Sequence, residues 1–179
     1  MADDKSLSPV KRHLTTNNDD GVSIFSSRIP SDPPSMQLPD GTKITFCYGC
    51  QRFPVDLAGE QDLQSYQHLI ENPPGIVVPN GFAFRILDLP PGYNSVSHRT
   101  ISVNFNVVLQ GQMELTLNSG EKRILGPGDS AIQRCVDHSW RNVSSTEWAR
   151  MAAAVIPAEP LQFGGVDVKG SGVPGMGAS

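Results

Sequence analysis

His98-Arg99-Thr100-Ile101-Ser102-Val103-Asn104-Phe105-Asn106-Val107-Val108-Leu109 decides the fold, because from Thr100 to Val107 polar and apolar side chains alternate without a break. In a strand, residues two apart share a face. One face therefore carries His98, Thr100, Ser102, Asn104 and Asn106, and the other Ile101, Val103, Phe105, Val107 and Leu109. A polar face on an antiparallel sheet ordinarily meets water. This one holds no Lys or Glu, the long charged side chains that usually clothe an exposed strand. It is also framed by Pro90-Pro91-Gly92 before and Gly111 after, as in small barrels that hold polar groups around a ligand. The composition predicts a strand whose polar face lines a cavity and whose apolar face packs outward.

Working outward from it, strand-length runs occupy Phe82 to Leu89, Ser97 to Leu109, Gln112 to Leu117, Arg123 to Leu125, Ser130 to Cys135, Ser139 to Asn142 and Glu147 to Ile156. Pro-Gly, Gly, Asn-Ser-Gly and Gly-Pro-Gly signals separate them, a spacing that suits a sandwich or barrel. The alanines of Glu147 to Ala154 favour helix on propensity alone. That segment is read as strand all the same, because it runs into Val155-Ile156-Pro157 where a barrel must close. Upstream, Lys43 to Tyr48 reads as a strand. Gly59 to Asn72 carries Leu63, Tyr66, Leu69 and Ile70 at helical intervals before an Asn72-Pro73-Pro74 stop, which predicts one short helix. Ile29 to Pro39 is proline-rich and reads as an extended connector, with Val22 to Phe25 an isolated strand before it. The expected organisation is an arm and connector over 1–42, an all-β barrel over 43–160 and a flexible glycine-rich tail over 161–179.

These residues resemble the cupin family, whose first signature runs Gly, five residues, His-x-His, three or four residues, Glu, six residues, Gly. The chain reads Gly92, five residues, His98-Arg99-Thr100, three residues, Asn104, six residues, Gly111. Thr100 stands for the second His and Asn104 for the Glu. The second signature closes with His-x3-Asn, matched by His138 and Asn142; its opening is one residue short, with Gln133 for Pro and Cys135 for Gly. The resemblance implies a double-stranded β-helix, or jelly-roll, barrel. Pro-Pro-Gly, His-Arg-Thr and Gln-Arg…His-x-Trp-Arg-Asn further look like single-domain cupins of fungal secondary-metabolite clusters, which are mostly assigned as oxidoreductases or enzymes of unknown chemistry.

A cupin metal site of the ordinary kind uses three imidazoles and a carboxylate. Only His98 and His138 stand at matching positions here, and a dication without an anionic ligand is poorly compensated in a buried pocket. No metal cofactor is favoured. The alternative is Fe(II), or another divalent transition metal, on His98, His138 and Asn104. Without metal, two imidazoles facing one hollow could remove and return a proton, with Thr100 and Asn104 holding a carbonyl or enolate oxygen. Arg85, Ser102, Asn106, Gln133 and Trp140 are the candidate substrate-binding residues. The leading expectation is an enzyme of secondary metabolism performing isomerisation, dehydration or cyclisation of an oxygenated, polyketide-like intermediate. Its rivals are a metal-dependent oxidoreductase or oxygenase and a barrel that only binds a small ligand.

Composition bounds these readings. A net charge of -4, with no Lys/Arg cluster, gives no electrostatic reason to meet nucleic acid or anionic lipid. No stretch approaches the ~20 apolar residues of a spanning helix, and the N-terminus lacks the pattern of a secretory signal. Three cysteines without an export signal suit a reducing compartment, so a cytoplasmic protein is expected. The CxxC of Cys47 and Cys50 with the CxxH of Cys135 and His138 has zinc-site spacing. It reads as two unrelated half-patterns, since it would take His138 out of the barrel site. The apolar face of residues 101 to 109 and the arm both want a partner surface, so a homodimer is expected.

Overall fold

The computed structural model describes residues 7–176. The ends of the expected arm and tail, residues 1–6 and 177–179, lie outside them. The chain runs through β1 (Thr15–Asn17), β2 (Ser23–Phe25), β3 (Ser35–Gln37), β4 (Lys43–Cys50), α1 (Gln61–Glu71), β5 (Phe82–Leu89), β6 (Ser102–Gln110), β7 (Met113–Leu117), β8 (Lys122–Leu125), β9 (Ser130–Arg134), β10 (His138–Asn142), β11 (Ala149–Pro157), β12 (Gln162–Phe163) and β13 (Val166–Asp167). Two sheets form the barrel, one in the order β3-β4-β5-β11-β6-β9 and the other in the order β10-β7-β8. The expected all-β jelly roll with one short helix is the fold observed.

β11 lies between β5 and β6, so its backbone is hydrogen-bonded on both sides. Ala149, Met151, Ala153 and Val155 point inward and are buried, while Arg150, Ala152, Ala154 and Ile156 point the other way. Period-two burial in mid-sheet overrides the helix propensity of its alanines. Gly111, in the turn between β6 and β7, has φ +76°, and a Cβ there would come within 3.0 Å of the Ala149 side chain. Both facts require glycine.

The helix seats Leu63, Tyr66 and Leu69 against Phe46, Val78, Ala83 and Ile29. Tyr66 is fully buried and donates its hydroxyl hydrogen to the Phe46 carbonyl at 2.6 Å. Burying each such side chain contributes roughly 1.5–3 kcal/mol, which is what holds so short a helix to the barrel. The second core cluster lies between the sheets and contains Leu89, Val108, Met113, Leu125, Trp140 and Met151.

Four expectations are corrected. Ser23–Phe25 is not isolated but forms a hairpin with Thr15–Asn17, closed by the Asn18 side chain accepting from the amides of Asp20 and Val22. β3 belongs to the barrel sheet, where it pairs with the edge of β4 inside the expected connector. The decisive strand starts at Ser102 rather than Ser97, because His98 instead forms an antiparallel bridge with His138 in the opposite sheet. The chain thus changes sheets between His98 and Ser102, the corner that a jelly roll needs. Finally, the tail returns to the barrel: the Ser171 amide donates to the Arg99 carbonyl at 2.8 Å, and the Arg99 amide donates to the Ser171 hydroxyl at 2.8 Å. Gly175 sits so close to Pro39 that a Cβ would lie 2.8 Å from its ring.

Asn142 ties three loops together. Its side-chain amide nitrogen faces the carbonyls of Leu89, Pro90 and Glu147 at 3.2, 3.0 and 2.8 Å, and its oxygen accepts from the Ser144 amide at 3.0 Å. The closing Asn of the second signature is therefore structural here and contributes nothing to the cavity.

Candidate active site

The polar face of β6 turns inward, with Ser102, Asn104 and Asn106 only 1%, 7% and 5% exposed. On the opposite face Phe105 and Leu109 are exposed, as the alternation predicts. Between the sheets lies a cavity of about 90 Å³, several times what one buried water needs. Its walls are mostly apolar, including Leu87, Leu89, Met151 and Val155. The polar groups that reach it include His98, His138, Asn104, Asn106, Gln133 and Arg85.

His98 and His138 meet because their backbones form a reciprocal bridge, each amide donating to the other's carbonyl at 2.9 and 3.0 Å. Their ring centroids are 4.4 Å apart. The Nδ1 atoms lie 3.1 Å from the Val96 carbonyl and 3.0 Å from the Val136 carbonyl. A carbonyl oxygen only accepts, so in each of these bonds Nδ1 carries the hydrogen and, in the neutral ring, Nε2 keeps a lone pair. His138 is 2% exposed. Burial is the main cause that lowers its pKa to about 4, with the neighbouring His98 adding to it and the Val136 carbonyl and Asp137 opposing. At neutral pH it is an unprotonated base.

The same shift makes His138 an acid-sensitive element of the fold. An unfolded imidazole titrates near 6.5, so the unfolded chain binds this proton first as pH falls. The stability contributed by keeping His138 neutral is complete above about pH 6.5 and is lost as pH falls towards 4. Wild-type protein should lose roughly 3 kcal/mol more than His138→Gln between pH 7 and pH 4 in urea unfolding. Parallel pH profiles for the two proteins would contradict this.

Thr100 and Ser102 do not reach the cavity wall, contrary to the expectation that they hold substrate. The Ser102 hydroxyl lies 2.6 Å from both Thr100 Oγ1 and Asn104 Oδ1, and Asn104 Nδ2 donates to Thr100 Oγ1 at 3.3 Å. The Asn oxygen can only accept, so Ser102 donates to it and Thr100 donates to Ser102. The three side chains close a ring of hydrogen bonds. The ring leaves the Thr100 hydrogen spent and fixes Asn104 against the cavity. Asn106 donates to Gln133 Oε1 at 2.8 Å, while Gln133 Nε2 is buried with no partner among the described residues.

A metal of the ordinary cupin kind does not fit these residues. Two imidazoles are available, Asn104 Oδ1 already accepts a hydrogen bond from Ser102, and among the described residues that line the cavity no carboxylate supplies charge. Among the described residues no three His, Cys, Asp or Glu side chains are grouped to hold an ion. Cys47, Cys50 and Cys135 are free and buried, and do not assemble with His138 into the zinc pattern that their spacing suggested.

A family model described as "Cupin domain" matches residues 85–155. The chain is 39% identical over 166 residues to "Phomopsin biosynthesis cluster protein D" of Diaporthe leptostromiformis, covering 93% of this chain and 87% of that protein. It is 34% identical over 154 residues to "Cupin-domain-containing oxidoreductase srdB" of Neurospora crassa, covering 86% and 76%. The chain belongs to the cupin family. This cupin is also 35% identical over 166 residues to "Oryzines biosynthesis cluster protein J" of Aspergillus oryzae, covering 92% of each chain. It is thus a cupin of the type found in fungal biosynthesis clusters, some of whose members are named oxidoreductases.

Of the sequence-predicted residues, the cupin barrel brings His98, His138, Asn104, Asn106, Gln133, Arg85 and Trp140 to one cavity. Sequence reasoning missed Tyr93, Ser95 and Thr42, and the tail residues Val173 and Met176 that also wall it. Tyr93 directly follows the Pro90-Pro91-Gly92 turn, the only local hint. The tail pair left no signal, since nothing in a glycine-rich segment shows where it returns. Among the described residues no helix is long and apolar enough to cross a membrane.

Proposed function

We propose that this cupin is a small-molecule enzyme of secondary metabolism that transfers a proton on an oxygenated, partly apolar intermediate of polyketide-like character. Isomerisation, dehydration and ring closure are the reaction types that suit it. The observation that carries the reading is the His98–His138 pair. Two facing imidazoles have their Nδ1 atoms held by backbone carbonyls, and one of the rings is kept neutral by burial. In this scheme a free Nε2 takes a proton from carbon or oxygen, and the imidazolium so formed returns it, directly or after passing it to the facing ring, while Asn104 and Gln133 hold the oxygen that gains negative charge. Apolar walls that include Trp140 and Leu89 receive the carbon skeleton.

The names of several relatives, which say oxidoreductase, favour a second reading; here it would be an oxidoreductase that depends on a metal held by His98 and His138. Elemental analysis of anaerobically purified protein separates the two. Proton transfer predicts substoichiometric iron, manganese, nickel and zinc; near-stoichiometric metal that disappears in His98→Ala would replace it with the oxidoreductase. We further infer work in the cytoplasm, which three buried free thiols suit. A homodimer is inferred as well, supported by the exposed row of Phe84, Phe105 and Ile132 across the outer sheet face.

A further inference from the structure

We propose that the substrate is an anion: a carboxylate-bearing carbonyl compound whose carboxylate is held by Arg85 and whose oxo group accepts a hydrogen bond from Gln133. This deepens the proton-transfer reading and rests on it for the cavity and the carbonyl chemistry. It stands on two side chains that the protein leaves incomplete.

Arg85 is 5% exposed, on β5, in the inward row that continues through Ala153 to Asn106. Its two terminal nitrogens donate to the carbonyls of Ile76 and Gly75 at 2.7 and 2.6 Å, and its guanidinium lies 5.4 Å from the centre of the Phe46 ring. Neutral acceptors and a ring face solvate the cation without neutralising it. Among the described residues none forms an ion pair with Arg85. Burial lowers its pKa to about 10, so it remains cationic at neutral pH. Such a buried charge is ordinarily matched by an anion, and guanidinium has five donors in a planar fork suited to carboxylate. Arg85 walls the same cavity as the histidines.

Gln133 supplies the second point. It is 4% exposed on β9, directly opposite Asn104 on β6. Asn106 occupies its oxygen, which orients the amide and leaves Nε2 as a buried donor with no acceptor among the described residues. An unmatched buried donor costs about 1–3 kcal/mol, which a ligand oxygen would recover. From β5 to β9 there are three strand spacings, about 14 Å between backbones, before the two long side chains reach inward. The gap left suits a chain of a few carbons with a charged end and a carbonyl end. The intervening wall is apolar at Ala153 and Val155, so the middle of the ligand is hydrocarbon.

The test measures binding of 4-oxopentanoate and 6-oxoheptanoate against their uncharged counterparts pentan-2-one and heptan-2-one, by ligand-observed NMR titration on the full chain. Wild type should bind at least one oxo acid ten-fold or more tightly than its ketone. Arg85→Met should reduce that ratio to near one while leaving ketone affinity alone, and Arg85→Lys should retain part of it. Gln133→Leu should weaken oxo acid and ketone alike by about five-fold or more. Equal binding of acid and ketone by wild type overturns the proposal whether or not Arg85→Met folds, and so does an undiminished preference in folded Arg85→Met. Proton exchange is read separately on the same ligands. Anion preference without histidine-dependent exchange sinks the proton-transfer reading and leaves this one, and the reverse result does the opposite.

Discussion

Replacing His98 and His138 together by Ala should lower catalysed exchange of α-protons in D2O by roughly 10²–10⁴-fold, the contribution of a positioned acid or base. The oxo acids and methyl ketones named above serve as probes, with exchange followed by NMR. The magnitude follows from geometry and protonation together. Nδ1 of each ring is engaged by a backbone carbonyl, which fixes ring orientation as well as tautomer. His138, with its pKa near 4, is available as a base throughout the neutral range. Its single replacement should therefore abolish most of the effect at pH 7. The His138 contribution to the wild-type rate should be lost only as the pH approaches 4, provided the fold survives. The bridge between the two residues is made by backbone atoms, so the variants retain it and melting curves should confirm a folded barrel. Exchange unchanged in the double variant would leave a barrel that binds its ligand without transforming it.

Asp88→Ala should destabilise the fold by about 3–5 kcal/mol, the loss expected when one partner of a buried ion pair is removed. Asp88 and Arg150 face each other across β5 and β11, bonded through two contacts of 2.6 and 2.7 Å. Their side chains are 5% and 16% exposed, and Arg150 also donates to the Ser8 carbonyl at 2.9 Å. The N-terminal arm thus covers the pair, and deleting Asp88 would strand a guanidinium beneath it. The penalty comes from the orphaned charge rather than from the pair's own worth. Asp88→Leu with Arg150→Met should accordingly recover most of the loss. Chemical unfolding checks both variants; a drop below about 1 kcal/mol for Asp88→Ala would show that water reaches Arg150 freely.

The alternation from Thr100 to Val107 made the barrel legible, because period-two burial is a property of a strand's own geometry. The same reasoning correctly assigned the alanine-rich β11, where position in a closed sheet outweighed propensity. Local pattern also placed His98 and His138 in one site, through spacing that resembled the cupin signatures. It failed at Thr100 and Ser102, since their fate depends on which neighbour captures each hydroxyl hydrogen. It failed at the tail, where Val173 and Met176 return from a segment without periodicity.

On its own, then, the order of residues determined the all-β character and the inward polar face, which follow from strand periodicity along one segment, while the cupin barrel and its two histidines followed from the resemblance to the two cupin signatures. Tertiary structure alone decided that His98 pairs with His138 across the two sheets. It also decided that, among the described residues, Arg85 is buried without a counter-ion and Gln133 keeps a free donor. Those three facts concern partners far apart in the chain, and a hydrogen bond or ion pair is made or missed only when closure of the barrel brings the groups together.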